Sequence, residues 1–256
     1  MSLNFPSQPE VRLKKPPLSE VICQVRFPPI LRIGSESPVN FQDVIRKRFP
    51  GLEVERQVLV HLGISPSVDN PIAENAPKVY RFKSADEKSS VALASDFFAL
   101  STNSYSHWRN FVDDFHFVEQ AVRKEFQPSL ATRVGLRFIN RLTQKNTGCK
   151  TFSELLDLLR GELTCLIRSE AWRDPSELLT QIVLPDQSAK LILRFGFGRE
   201  QDEPFFLLDF DYFEDFHNEF TDIAQRIEHY HDQIYQAFRW CIKDGALDRF
   251  EPVIGK

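Results

Sequence analysis

Arg133-Val134-Gly135-Leu136-Arg137-Phe138-Ile139-Asn140 alternates apolar residues with charged or small ones, the signature of a strand with one buried face. Val21-Ile22-Cys23-Gln24-Val25-Arg26-Phe27 reads the same way and stops at Pro28 and Pro29, which lack backbone donors. Laying Val25-Arg26-Phe27 on Leu136-Arg137-Phe138 sets an offset of 111, and that offset carries outward along the chain. Phe41, Val44 and Ile45 fall on Phe152, Leu155 and Leu156 at the same 111. Tyr80-Arg81-Phe82 falls on Leu193-Arg194-Phe195 at 113, and Asp96 on Asp209 at 113. The helical set Phe111, Val112, Phe115, Val118, Val122, Phe126 falls on Ile223, Ala224, Ile227, Tyr230, Ile234, Phe238 at 112. Matching elements at nearly constant spacing predict an internal duplication, with half-repeats about 18–127 and 130–245.

The elements follow from local pattern. After the first strand, Phe41, Val44, Ile45 and Phe49 take helical spacing between a Pro38-Val39-Asn40 start and a Pro50-Gly51 stop. Val54 to Ile64, Lys78 to Lys83 and Ser90 to Asn103 carry strand composition, and a long amphipathic helix runs from Trp108 to Phe126 before Pro128. The second half repeats this with strands at 133–140, 178–184, 190–197 and 205–212, a short helix around Phe152 to Leu159, and a long helix through Phe220 to Phe238. Each half is β-α-β(3-4)-α, which makes the class α+β. This element order resembles the TATA-binding-protein-like arrangement, in which two pseudo-symmetric halves share one curved antiparallel sheet with helices on one face. No Gly- or Ser-rich linker separates the halves at 128–132, so residues 1–256 are expected to form a single duplicated domain. The opposite sheet face is expected to be polar and uncovered.

Composition bounds the function. With 256 residues, 42% of them hydrophobic and 23 of them Phe, the chain can fill a core. A net charge of -4 gives no global attraction to nucleic acid or an anionic membrane, so nucleic acid is not a favoured partner. The first thirty residues lack the order of a secretory signal, no apolar run is long enough to span a bilayer, and a cytoplasmic location is expected. Cys23, Cys149, Cys165 and Cys241 form no CxxC unit and read as free thiols, with Cys23 and Cys241 in the core. HExxH, GxSxG and GxxxxGK[ST] are absent, and His229 and His231 point to opposite sides of a helix. Asp113 and Asp114 are expected to face water, and Gly196-Phe197-Gly198 to bend a hairpin. These observations assign no catalytic residue, metal site or cofactor.

The candidate ligand-binding residues come from strand alternation. Arg26, Arg81, Arg137 and Arg194 each precede a Phe, so if the Phe residues point to the helices the arginines share the other face. Asp96, Asp209 and Asp211 are expected there too. One reading makes this set a bidentate site for phosphate or carboxylate, with Arg26 and Arg137 as neighbours across the pseudo-axis. The other pairs the charges across strands, for about 0.2 to 1 kcal/mol each. Tyr105 and Trp108, with Ser106 as N-cap between them, form either an aromatic ledge at the sheet edge or core packing. The favoured function is a noncatalytic binding module for a protein partner or a small anionic ligand. The alternatives are a metal-dependent enzyme on nucleotides or nucleic acid, with Asp96, Asp209 and Asp211 as ligands, and a nucleic-acid-binding protein. An exposed sheet edge and the abundance of Phe are compatible with a homodimer.

Three segments carry a resemblance: Pro16-Pro17-Leu18-Ser19-Glu20-Val21, Tyr105-Ser106-His107-Trp108, and Arg133 through Arg141. Together they resemble a sporadically distributed prokaryotic family of uncharacterised proteins with a PPLxEV opening and a GLRYIN-like central motif. Here Phe138 stands where that motif has Tyr. The resemblance implies mobile-element or defence-associated genes and brings no activity with it.

Overall fold

Val21, Cys23 and Val25 are fully buried while Ile22, Gln24 and Arg26 turn the other way, so the alternation read in the first strand holds in three dimensions. The computed structural model describes residues 3–56, 78–171, 176–201 and 203–253. The first half contains β1 (Leu18–Arg26), α1 (Leu31–Ser35), α2 (Val39–Ile45), β2 (Gly51–Arg56), β3 (Lys78–Lys83), β4 (Ser89–Ala94), β5 (Phe97–Thr102) and α3 (Trp108–Phe126). The second contains β6 (Leu130–Thr143), α4 (Gln144–Thr147), α5 (Phe152–Asp157), α6 (Gly161–Thr164), β7 (Leu178–Asp186), β8 (Ala189–Glu200), β9 (Glu203–Glu219) and α7 (Ile223–Cys241), followed by a 3-10 turn at Ala246–Phe250.

The nine strands of the described residues join one antiparallel sheet in the order β2-β3-β4-β5-β1-β6-β9-β8-β7. The fold is therefore α+β with a single large sheet. β1 and β6 lie at its centre, and their register sets Gln24 opposite Gly135, two residues 111 apart in sequence. The helices share one face. α3 contributes Phe111, Phe115, Val118, Val122 and Phe126 to the core, and α7 contributes Ile223, Ile227, Tyr230, Ile234 and Phe238. Ring contacts bind helix to sheet, including Phe98 with Phe115 at 5.8 Å and Phe41 with Phe82 at 5.4 Å. His107 caps α3, its Nδ1 accepting from the Arg109 N–H, and Gln127 in the left-handed region ends the helix before Pro128. The expected cap, Ser106, instead lies within 3.0 Å of Asn110 Nδ2.

Three expectations change in the structure, and a fourth is seen only in part. The run from Ser90 to Asn103 is two strands, β4 and β5, joined by a turn at Ser95 and Asp96. Of the strand expected from Val54 to Ile64, β2 holds the start, and residues 57–64 lie outside the described ones. Gly196 lies inside β8, not at a hairpin, and a side chain there would meet the Leu178 carbonyl oxygen at 1.8 Å, so β7 and β8 approach each other where only hydrogen fits. Finally, the face away from the helices is not uniformly polar: Val79, Ala92, Ala94, Phe97 and Ala99 form a second, small buried cluster on it. Cys23 and Cys241 are fully buried as expected, Cys149 is buried with them, and all four thiols are free.

Candidate functional site

Strand alternation singles out the arginine-bearing face of the sheet. Arg137 on β6 sits opposite Asp211 on β9 and grips the neighbouring Asp209, with Nε to Oδ1 at 2.8 Å and Nη2 to Oδ2 at 2.7 Å. Arg194 on β8 reaches the same Oδ2 at 3.2 Å and lies 3.9 Å from Asp211. Asp209 is only 2% exposed, so both of its oxygens are spent inside this pair of guanidinium groups. Hydrogen bonding to Asp209 holds the Arg137 guanidinium more basic than usual. Burial pushes the Asp211 carboxyl up, against the pull of Arg133, Arg137 and Arg194. Arg81, two strands beyond β5, pairs with Glu55 on β2 at 2.9 and 3.1 Å. Arg26 is exposed and meets Gln24 Oε1 at 3.2 Å.

The remaining expectations for this face separate. Arg26 lies opposite Arg133, and Arg137 opposite Ile22, so Arg26 and Arg137 are displaced from each other by four residues, about 13 Å along the strands. Arg133 is itself occupied, 3.6 Å above the Phe213 ring and 3.4 Å from Asp215. Asp96 falls in the β4–β5 turn while Asp209 stands mid-strand in β9, and Arg81 lies one strand further from the sheet centre than Arg194. The offset of 113 thus links residues that do not hold matching places in the sheet. Among the described residues no group of three His, Cys, Asp or Glu side chains is arranged to hold a metal ion. The set Arg137, Arg194, Asp209 and Asp211 is therefore internally paired, the cross-strand pairing that strand composition allowed.

The helix side holds a cavity of about 240 Å³ that alternation did not reveal. Its floor is Phe138 and Asn140 on β6, with Leu18 at the start of the neighbouring β1. Tyr105, Ser106, His107 and Trp108 enter from the approach to α3, and His231, Ile234, Tyr235 and Phe238 come from α7. Residues 10–13 and Pro16 and Pro17 close the rim. The N-terminal segment is fastened there by backbone: Val11 donates to the Tyr235 hydroxyl at 2.9 Å, Lys14 and Lys15 donate to the Glu251 and Phe250 carbonyls, and Val253 donates to the Arg12 carbonyl. Ser19 Oγ donates to the Ile139 carbonyl at 2.9 Å, tying the opening motif to the central strand.

Packing fixes the walls. The Trp108 indole stacks on His231 at 4.2 Å and 10° and on Phe111 at 5.8 Å and 22°, while its N–H donates to Glu228 at 2.6 Å. Its ring also lies 6.4 Å from Phe138 on the central strand β6. Tyr105 packs edge-on against Phe138 at 5.7 Å. Trp108 thus sits near the middle of the sheet, not on a ledge at its edge.

Polar groups remain available inside. Asn140 is 5% exposed; its amide nitrogen donates to the Leu208 carbonyl at 3.3 Å, and its oxygen has no hydrogen bond among the described residues. His231 is also 5% exposed, its ring nitrogens lie 3.8 and 3.9 Å from Asp232 and Glu10, and burial pushes its pKa down to about 4, so the ring is neutral at pH 7. Burial likewise raises the Tyr105 phenol and the Glu10 carboxyl at the rim. The cavity therefore offers aromatic surface, neutral acceptors and no cation on its floor.

Proline-rich opening, Tyr-Ser-His-Trp step and central strand are far apart in sequence, and all three contribute lining residues to this one cavity. Linear reading named the segments without bringing them together, and it passed over His231, Tyr235 and Glu10. No family model matches the chain, and no curated protein matches it.

Proposed function

We propose that the chain is a noncatalytic binding module that holds a small ligand in the cavity between the central strands and the two long helices. The observation that carries this reading is the convergence of residues 16–18, 105–108, Phe138 and Asn140 on one partly apolar pocket in which the Asn140 oxygen faces the space without a protein donor. Selection for stability alone favours filling such a space, because a cavity of this size forfeits packing energy. We place the scaffold in a TATA-binding-protein-like arrangement produced by internal duplication. In support, the strands outward from β1 (β5, β4, β3) and from β6 (β9, β8, β7) follow the same reversed chain order, with β2 an addition to the first half, and the pair Gln24 and Gly135 at the centre carries the repeat offset. The same three segments support membership of the prokaryotic family they resemble. The charged sheet face serves the scaffold in this reading, its acids already neutralised by its arginines.

Native mass spectrometry of the protein purified gently from its own host tests the proposal. The expected spectrum contains the chain with a noncovalently bound small molecule, and Leu18→Trp, which fills the floor, abolishes that added mass. A bare chain mass in every gentle preparation overturns the reading.

A further inference from the structure

Resting on the reading of this cavity as a ligand site, we propose that it binds an uncharged planar ring system of one or two fused rings carrying an N–H or O–H donor. The ring lies against Phe138 and Tyr105 and donates to Oδ1 of Asn140.

Size supplies the first constraint. About 240 Å³ falls below the roughly 300 to 1,000 Å³ of pockets that take drug-sized molecules, so the occupant is compact. Wall chemistry supplies the second. Leu18, Phe138, Ile234 and Phe238 offer apolar surface, and the edge-on Tyr105 and Phe138 pair leaves aromatic surface toward the space, the geometry in which a flat ring gains contact area. Charge supplies the third. A buried ion needs a counter-ion, and the floor has none: His231 is neutral, Asn140 is an amide, and the charged lining residues Glu10 and Arg12 are exposed at the rim. A carboxylate or phosphate on the ligand therefore has no partner at the floor.

Hydrogen bonding supplies the fourth. Asn140 already spends its amide nitrogen on the Leu208 carbonyl, which orients the oxygen as the free acceptor. The Asn140 oxygen, open to the cavity and without a protein donor, is the acceptor that a donor on the ligand meets. This selects a ring with a hydroxyl or ring N–H over the same ring without one. His231, held flat against Trp108, offers one donor and one acceptor from its neutral ring as a second polar contact.

Isothermal titration of the full chain with indole, phenol, toluene and benzoate at pH 7 tests the proposal. Indole and phenol are expected to bind, with toluene and benzoate at least about tenfold weaker, the value of one hydrogen bond near 1.4 kcal/mol. Asn140→Leu is expected to erase the preference of phenol over toluene while keeping affinity for toluene. Should Asn140→Leu fail to fold, Leu18→Trp provides the second variant and is expected to abolish binding of all rings with the melting temperature retained. Benzoate binding as tightly as phenol, or equal binding of phenol and toluene by the native chain, overturns the assignment. If no ring binds but native mass spectrometry shows a bound mass that Leu18→Trp removes, the ring assignment falls and the binding module stands. If no ring binds and no such mass exists, both fall.

Discussion

His231 shows how one buried side chain ties stability to pH. Its folded pKa is pushed down to about 4 by burial and by His107, whereas in the unfolded chain it titrates near its ordinary 6.5. Between those values the unfolded chain binds the extra proton, so the contribution of His231 is fully present above pH 6.5 and is lost as pH falls toward 4. The loss amounts to about 3 kcal/mol. Urea melts of the native chain and of His231→Phe, which preserves an aromatic stack on Trp108, are expected to diverge across this window, the native chain falling more steeply with acid. Parallel curves would show that the imidazole titrates normally. Arg137 gives a second test at this scale. Arg137→Met leaves the almost fully buried Asp209 with Arg194 alone, and a loss of about 2 to 3 kcal/mol is expected in denaturant melts. Arg26→Met, which removes an exposed side chain whose one side-chain hydrogen bond among the described residues is to Gln24, is expected to cost less than about 0.5 kcal/mol. Equal costs would mean that the Arg137 grip on Asp209 contributes nothing.

At the scale of elements, the period of two in β1, β6 and β8 and the period of 3.6 in α3 and α7 were legible because one face of each element is buried in a single core. Where that signal weakens, the reading weakens for a physical reason. Ser95 and Asp96 turn the chain in two residues without Gly or Pro, and Phe97 and Phe98 continue the apolar composition, so β4 and β5 read as one strand. Gly196 shows a different limit. A missing side chain marks either a bend or a close approach, and only the neighbouring strand decides between them. Here the neighbour is β7, which among the described residues pairs in the sheet with β8 alone. Gly196→Ala is therefore expected to cost about 2 to 4 kcal/mol, and amide exchange is expected to quicken along β7 before any other strand. Uniform quickening through the sheet, or none, would mean that β7 does not depend on this contact.

At the scale of the whole molecule, the cavity was illegible because its residues share neither a segment nor a period. Leu18 reaches Phe138 and Asn140 only through the antiparallel pairing of β1 with β6, and Trp108 meets His231 only because α3 and α7 pack on the same side of that seam. The central pairing that assembles the cavity also joins the halves, since the main core cluster runs from Phe41 and Phe82 on one side to Leu193 and Phe238 on the other. Each half alone would expose a long central edge and leave its long helix half-covered, both costly. The chain is thus expected to unfold as one unit. Calorimetry should give a single transition whose calorimetric and van't Hoff enthalpies agree, with far-ultraviolet dichroism and tryptophan fluorescence melting together. Two resolved transitions would assign each half its own stability. They would also predict that ligand binding stabilises both transitions together, because the cavity draws its floor from β1 and β6 and its walls, His231 and Trp108, from different halves.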